Sequence, residues 1–493
     1  MNFASALSRP HHRHLVQLAD GSRQQWTLIG ASTAVFVVGL DYYGLSIALP
    51  TIQRAFNASS SSLTWILNAY LLAFTAGLIA AGRLADLYGR RRILIAGMAI
   101  FAFASAFGAS SQSIGWMITA RAIQGVGAAA MFPASLAVVE NAFPVEKRAG
   151  AIGSWVGING VGMAFGPVVG GILVQRFGWP LVFLLNVPVL LLGIAIIVWS
   201  VLESRDEQAV RHFDLAGLAT VTPGLVLLTL ALDQGGIWGW TSPRVIGLLL
   251  IAVLLLLIFG VLEGRVLGPL VELGLFRNVA FVGAASTAFL GQFAVGALIF
   301  FYTLYLQNVL HYSPLVAGLL FVPQSALLMI AGPAAGRLAT RFGYRRPITI
   351  AGIVLAISCG LLAGPAVGRG WEAIVPCFIL FGIGFGIAYT IATTAAVNAV
   401  PESKAGIASG VNGMIVVLGV VTGVAVTHAV FLALQHARLS QLATASPAAQ
   451  ADAFTAALSG VMWLVTAVTT AAILTSATMI ARFPAQPAAA DAK

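Results

Sequence analysis

Fourteen stretches of roughly 17 to 25 predominantly apolar residues divide this chain, and that pattern removes almost every way of folding in water. They lie at about residues 26–48, 64–81, 93–110, 115–139, 151–173, 180–202, 215–232, 245–262, 280–305, 315–335, 348–366, 373–397, 406–433 and 458–481. In hydrocarbon every backbone N–H and C=O must be satisfied within its own segment, so runs of this length read as transmembrane helices. The composition of 59% hydrophobic and 9% charged residues leaves no polar coat for a soluble enzyme. The expected fold class is all-α integral membrane, with 14 transmembrane helices.

A net charge of +10 would suggest nucleic acid in a soluble chain, but here the Lys and Arg sit in short connectors. Twenty of the 26 fall on one side of alternating connectors and five on the other, while Arg121 lies inside a span. By the positive-inside rule the richer side is cytoplasmic, and an even number of spans puts both termini there. The segment carrying Arg9, His11, His12, Arg13, His14 and Arg23 lacks the apolar core of a cleavable signal, so the first span serves as an uncleaved insertion signal. The location expected is a bacterial plasma (inner) membrane.

Residues Gly82 to Arg92 read GRLADLYGRRR, and 254 positions later Gly336 to Arg346 read GRLATRFGYRR. Two related halves of a membrane protein usually bind ligand between them and work by rocking against each other. The expected organisation is a cytoplasmic segment 1–25, a six-helix bundle 26–202, two additional helices 215–262, a second six-helix bundle 280–481 and a tail 482–493. The helix Val245 to Leu262 has no polar side chain and is expected to face lipid. Gly82, Asp86, Gly89, Arg90, Arg91 and Arg92 form a candidate conformational gate: glycine suits the tight turn, and Asp86 can pair with the arginines. Thr340 replaces the acid in the second copy, which weakens any latch there, and the arginines would fix topology in either case.

Of sixteen acidic residues, only Asp41 is read as lying well inside a span. A carboxylate at that depth costs at least about 2.5 kcal/mol, so it should face a polar cavity, be paired, or carry a proton part of the time. Burial favours its neutral form and a nearby cation its charged form, and opening to water on alternate sides would change the balance. Arg121 matches it in depth, about 9 to 14 Å from the outer edge, so the two are expected within reach of each other. A structural ion pair, or a protonated acid that never cycles, is the alternative. In the fifth span Gly162, Gly166 and Gly170 recur every four residues, with Pro167 and Gly171 beside them, forming a strip suited to close packing and bending.

No P-loop, metal-binding cluster or nucleophilic constellation is visible, so neither an enzyme nor a metal or organic cofactor is expected. Cys359 and Cys377 read as buried core thiols, and His311 and His428 as isolated residues near span ends.

Several motifs in order resemble the major facilitator superfamily, in particular its fourteen-span drug:proton antiporter branch. They are Leu40-Asp41 with Ala48-Leu49-Pro50; Trp65 with Tyr70; the Gly82–Arg92 connector; Arg121 with Gln124-Gly125 and Gly127; Gly166-Pro167 with Gly170-Gly171; Trp179 with Asn186-Val187-Pro188; and Leu232-Asp233-Gln234-Gly235. The resemblance covers roughly residues 26–482 and implies the major facilitator fold, two six-helix bundles with two extra central spans. It also implies proton-driven export by alternating access, with Asp41 as proton site, Arg121 assisting it, and the first connector stabilising the outward-facing state. Tyr43 and Ser46 stand where the family often has Thr and Asn, so substrate contacts near Asp41 are expected to differ. With Asp41 as the sole deep carboxylate, more than one proton per cycle is not expected.

A cavity for amphipathic ligands needs apolar walls and a few orienting hydrogen bonds. Asn68, Tyr70, Gln292, Tyr302, Gln324, Tyr389 and Asn412 are candidate lining residues, each with helix packing as the plainer reading. The function expected is export of small amphipathic, often cationic compounds by a monomer, with protons, substrates and the bilayer as its partners and no nucleic acid. A dedicated exporter of one metabolite or natural product is the nearest alternative, and a non-transporting membrane sensor a more distant one.

Overall fold

The computed structural model describes residues 21–205, 214–266, 271–400, 405–440 and 446–480. The tail 482–493 and most of the segment 1–25 lie outside the described residues. The helices are α1 (Gly21–Phe56), α2 (Ser60–Tyr88), α3 (Arg90–Ala109), α4 (Ile114–Ala142), α5 (Val145–Phe177), α6 (Pro180–Ser200, broken at Leu185) and α7 (Leu215–Trp238). They continue with α8 (Pro243–Glu263), α9 (Val279–Leu304, followed by one π-helical turn to Val309), α10 (Pro314–Phe342), α11 (Arg345–Ala363), α12 (Trp371–Asn398), α13 (Ala405–Leu439) and α14 (Pro447–Met479). Thirteen helices are long and apolar enough to cross a membrane among the described residues. In the 29-residue α10 the described apolar stretch is Pro314–Leu328, which is compatible with a fourteenth span.

Short polar residues start many of these helices. Ser59, Ser113, Ser242, Ser313 and Ser446 each accept a backbone N–H of the following first turn, and Pro243, Pro314 and Pro447 then occupy a position whose missing N–H costs nothing. Asp214 caps α7 in the same way, accepting the Gly217 N–H at 2.7 Å.

The helices pack in a repeated pattern. In the first half α1 packs on α5 and α6, α2 on α4, and α3 on α4 and α6. In the second half α9 packs on α13 and α14, α10 on α12, and α11 on α12 and α14. Each contact in one half therefore has its counterpart eight helices later, as the twin connectors imply. The halves meet through α1 with α9, α5 with α10 and α2 with α13, and the last two pairs exchange under the same correspondence. Of the additional pair, α8 packs on α7 and exposes Leu250, Ile251, Val253, Leu254, Leu257 and Val261, the apolar surface expected to face lipid. α7 touches both α2 and α13, so one helix of the pair joins the two halves rather than lying wholly apart from them.

Close approach of α5 to α1 depends on glycine. A Cβ added at Gly170 would lie 2.5 Å from the Gly44 carbonyl oxygen, and one at Gly166 would lie 3.0 Å from the Leu40 carbonyl oxygen. The opposite side of the same helix meets the second half, where a Cβ at Gly171 would lie 2.7 Å from the Pro314 carbonyl oxygen. Overpacking of this kind typically costs about 1–3 kcal/mol. Gly170→Val is therefore expected to lower the melting midpoint in detergent; an unchanged midpoint would mean that α1 and α5 are not this close.

Candidate functional site

Asp41 and Arg121 come from the middle of α1 and the first half of α4, and both are fully enclosed. Arg121 Nη1 donates to Asp41 Oδ2 at 2.5 Å and to Gln124 Oε1 at 2.8 Å, while Nε donates to the Ile66 carbonyl at 3.1 Å. The guanidinium carbon stands 4.2 Å from the centre of the Tyr70 ring, in cation–π geometry. Asp41 Oδ1 accepts Asn186 Nδ2 at 2.7 Å and, more weakly, Gln124 Nε2 at 3.4 Å. Ser105 on α3 ties these amides together, accepting Gln124 Nε2 at 2.8 Å. One acid is thus held by α4 and α6, and its cation is anchored by α2.

The spacing of residues explains why the cluster forms. Arg121 and Gln124 are three apart and share one face of α4. Asn186 follows the break at Leu185 between the two parts of α6, which aims its amide into the bundle. Leu40, Asp41, Gly44, Gly166, Gly170 and Leu185 line a small cavity beside the carboxylate, so the glycine strip of α5 forms a wall of the space that Asp41 faces. Asn186 and Ser105 were not foreseen as site residues; Asn186 was visible only as part of a family motif, and Ser105 carries no sequence signal of its own.

The connector residues stay within the first half. Gly89 has φ of +116°, a conformation natural to glycine, and an added Cβ would lie 2.5 Å from Glu203 Oε1. Arg90 pairs with Asp86 at 2.8 Å, Arg91 Nη2 donates to the Val198 carbonyl at 2.7 Å, and Arg92 approaches Glu203 at 3.5 Å. Gly82 packs beside Pro133. In the second connector Gly343 also has positive φ, and Thr340 donates back to the Arg337 carbonyl at 2.9 Å.

The candidate lining residues divide. Asn68, Gln324 and Asn412 are buried, and each has side-chain polar atoms without a partner. Tyr70 is enclosed against Arg121 and the Phe74 and Phe101 rings. Tyr389 stacks on Phe385 at 5.3 Å along a crevice inside the second half, with Gln292 nearby. Tyr302 serves packing instead: its hydroxyl donates to the Leu362 carbonyl at 2.8 Å and its ring stands against Phe378.

One expectation needs correction: His428 is not isolated, because a second buried carboxylate, Asp233, meets it near the end of α7. α7 runs to Trp238, past the expected end at 232, which brings Asp233 inside the helix, fully enclosed and 3.0 Å from His428 Nδ1 of α13. The apolar run stops at the polar pair Asp233-Gln234, but the helix continues because Ser61, Thr64 and Trp65 of α2 donate to Asp233.

A model of the Major Facilitator Superfamily matches residues 31–424. The chain belongs to this superfamily. It is a multi-pass membrane transporter of small molecules rather than an enzyme. It is 33% identical over 410 residues to the tetracenomycin C resistance and export protein of Streptomyces glaucescens, covering 83% of this chain and 76% of the relative. A multidrug resistance protein of Mycobacterium tuberculosis is 36% identical over 417 residues, covering 84% and 77%, and the puromycin resistance protein of Streptomyces alboniger is 34% identical over 438, covering 87% and 86%. In fold the transporter is similar to a bacterial homolog of the human lysosomal transporter Spinster, with TM-score 0.66 at 17% identity, covering 95% of this chain and 100% of that one.

Removing one member of a buried ion pair leaves the other uncompensated, at a cost of about 3–5 kcal/mol. Arg121→Ala is expected to lower the transporter's melting midpoint, and adding Asp41→Asn should restore much of the loss; additive effects of the two changes would show that the groups are not coupled.

Proposed function

We propose that this transporter is a proton-driven exporter of small amphipathic compounds, often cationic, working as a monomer in a bacterial plasma membrane with both termini in the cytoplasm. The observation that carries the reading is the enclosed Asp41–Arg121 pair beside a cavity walled by the glycine strip of α5. The resistance and export proteins among its relatives support drugs and toxic natural products as the substrate class.

The pair suits a reversible proton. As a carboxylate, Asp41 accepts from Arg121, Asn186 and Gln124. When it takes up a proton, Arg121 loses its counter-ion but keeps the Ile66 carbonyl, Gln124 Oε1 and the Tyr70 ring. Those alternative partners reduce the cost of leaving a buried cation unpaired, so the acid can load and unload without disrupting α4.

Among the described residues, three hydrogen bonds cross between the halves at the end opposite the arginine connectors: Gln307 Nε2 to the Ile47 carbonyl at 2.9 Å, Asn308 Nδ2 to Gln53 Oε1 at 3.2 Å, and the Leu315 N–H to Gln175 Oε1 at 3.3 Å. With the arginine-rich side in the cytoplasm, that end is extracellular and the conformation is closed outward. The ion-paired Asp41 then represents the deprotonated stage after proton release inside. Substrate binding with proton release favours the return outward, and protonation from outside favours the inward-facing state. In the outward-facing state the Gly82–Arg92 connector is free to latch the inner ends, whereas here its bonds remain within one half. Asn68, Gln324 and Asn412, whose buried polar atoms lack partners, supply orienting hydrogen bonds for an otherwise apolar ligand.

Asp41→Asn is expected to abolish pH-gradient-driven efflux in inverted vesicles while the protein still folds. Retained active efflux in that variant would refute the assignment.

A further inference from the structure

The Asp233–His428 contact joins three elements that the proposed cycle must separate. Ser61, Thr64 and Trp65 belong to α2 of the first half, His428 belongs to α13 of the second half, and Asp233 belongs to the additional helix α7. Thr64 Oγ1 donates to Asp233 Oδ1 at 2.7 Å, Trp65 Nε1 and Gln234 Nε2 each donate to Oδ2 at 3.0 Å, and Ser61 donates to Oδ2 as well. Three of these partners lie on α2, whereas one contact, at 3.0 Å, ties Asp233 to α13. Asp233–His428 is therefore the polar tie between Asp233 and the second half.

Trp65 and Gln234 donate N–H groups to Oδ2, and a single proton lies between Oδ1 and His428 Nδ1, 3.0 Å apart, so the two groups share it. His428 Nε2 is buried with no partner and is the atom free to gain or lose a proton. A neutral imidazole leaves a net negative charge enclosed here, whereas an imidazolium makes a neutral pair. The groups facing the pair are Ser61, Thr64 and Trp65 from α2, Gln234 from α7 and Phe300 from α9. None of them ionises near neutral pH, which leaves Asp233 and His428 as the titratable groups of the cluster among the described residues.

We propose that Asp233 and His428 form a second proton-binding site, distinct from Asp41, that clamps the outer ends of the two halves. His428 takes one proton at Nε2 from extracellular water, with no other bond made or broken, and the resulting imidazolium binds the Asp233 carboxylate. Loss of that proton to the same water weakens the clamp and lets α13 part from α2 and α7. The site sets the outer gate and does not carry a proton across the membrane. It also gives the additional pair of helices a task, because α7 supplies the anion. The assignment of the clamp to the outer side rests on the orientation adopted for the exporter reading.

The test uses the full-length transporter in lipid nanodiscs with spin labels at Ser110→Cys and Arg369→Cys, exposed positions on connectors of opposite halves at the clamped end. Asp41→Asn is included throughout, so the result does not depend on proton coupling at Asp41. The label separation is expected to be short at acid pH and to gain a longer population as pH rises. The slope should approach about one proton, a tenfold change in population ratio per pH unit. His428→Gln and, separately, Asp233→Asn should reduce that slope to near zero. An unchanged slope in either variant would overturn the proposal, as would absence of any pH-dependent change in the Asp41→Asn protein, in which the cluster is intact. Failure of efflux coupling at Asp41 would leave these outcomes unaffected and so be told apart from them.

Discussion

Placing charge in hydrocarbon is the constraint around which this transporter is arranged. An ionised side chain is tolerated there only with a partner, and a partner fixes the helices that carry the two groups. Asp41 and Arg121 do this for α1 and α4, Asn186 brings α6 to the same acid, and Ile66 and Tyr70 bring α2 to the same cation. The first half is thus organised around one pair. On the proposed reading, a proton on Asp41 weakens its bonds from Arg121 and Asn186 and so biases how α1 packs against α4 and α6.

Under the proposed proton coupling, α5 gives a shift of α1 a path to the second half. α5 lies between α1 and α10, with Gly166 and Gly170 against the α1 backbone and Gly171 against α10. Because the approach is backbone to backbone, few side chains are available to absorb a shift of α1 beside Asp41. Packed interfaces of this kind tend to occupy discrete arrangements rather than deform gradually. The proline at 167 lies within the same stretch, where its missing N–H loosens the helix.

Much of this was legible in the chain. Apolar run length located the helices, and the twin connectors implied the repeated packing. Matching depths in two spans place Asp41 and Arg121 within reach of each other. Hydropathy failed at Asp233, because the apolar run ends where two polar residues begin, although the helix continues once α2 supplies hydrogen bonds to them. His428 was passed over for a related reason: its partner is 195 residues away and belongs to another helix. Tyr302 shows the reverse limit, since a tyrosine in a span suggests a cavity until its hydroxyl is found on the Leu362 carbonyl. Sequence reveals which polar groups are buried more readily than which of them meet.

The central claim is that the Asp41 carboxyl alternates between ionised and neutral forms during transport. Infrared difference spectroscopy on transporter reconstituted in lipid, recorded with and without an exported compound, reads that change directly. The account expects a protonated-carboxyl stretch that is present without substrate at acid pH, is lost on substrate addition, and is missing from the Asp41→Asn protein. A spectrum in which substrate produces no carboxyl change assignable to Asp41, in protein shown to be transporting, would contradict it.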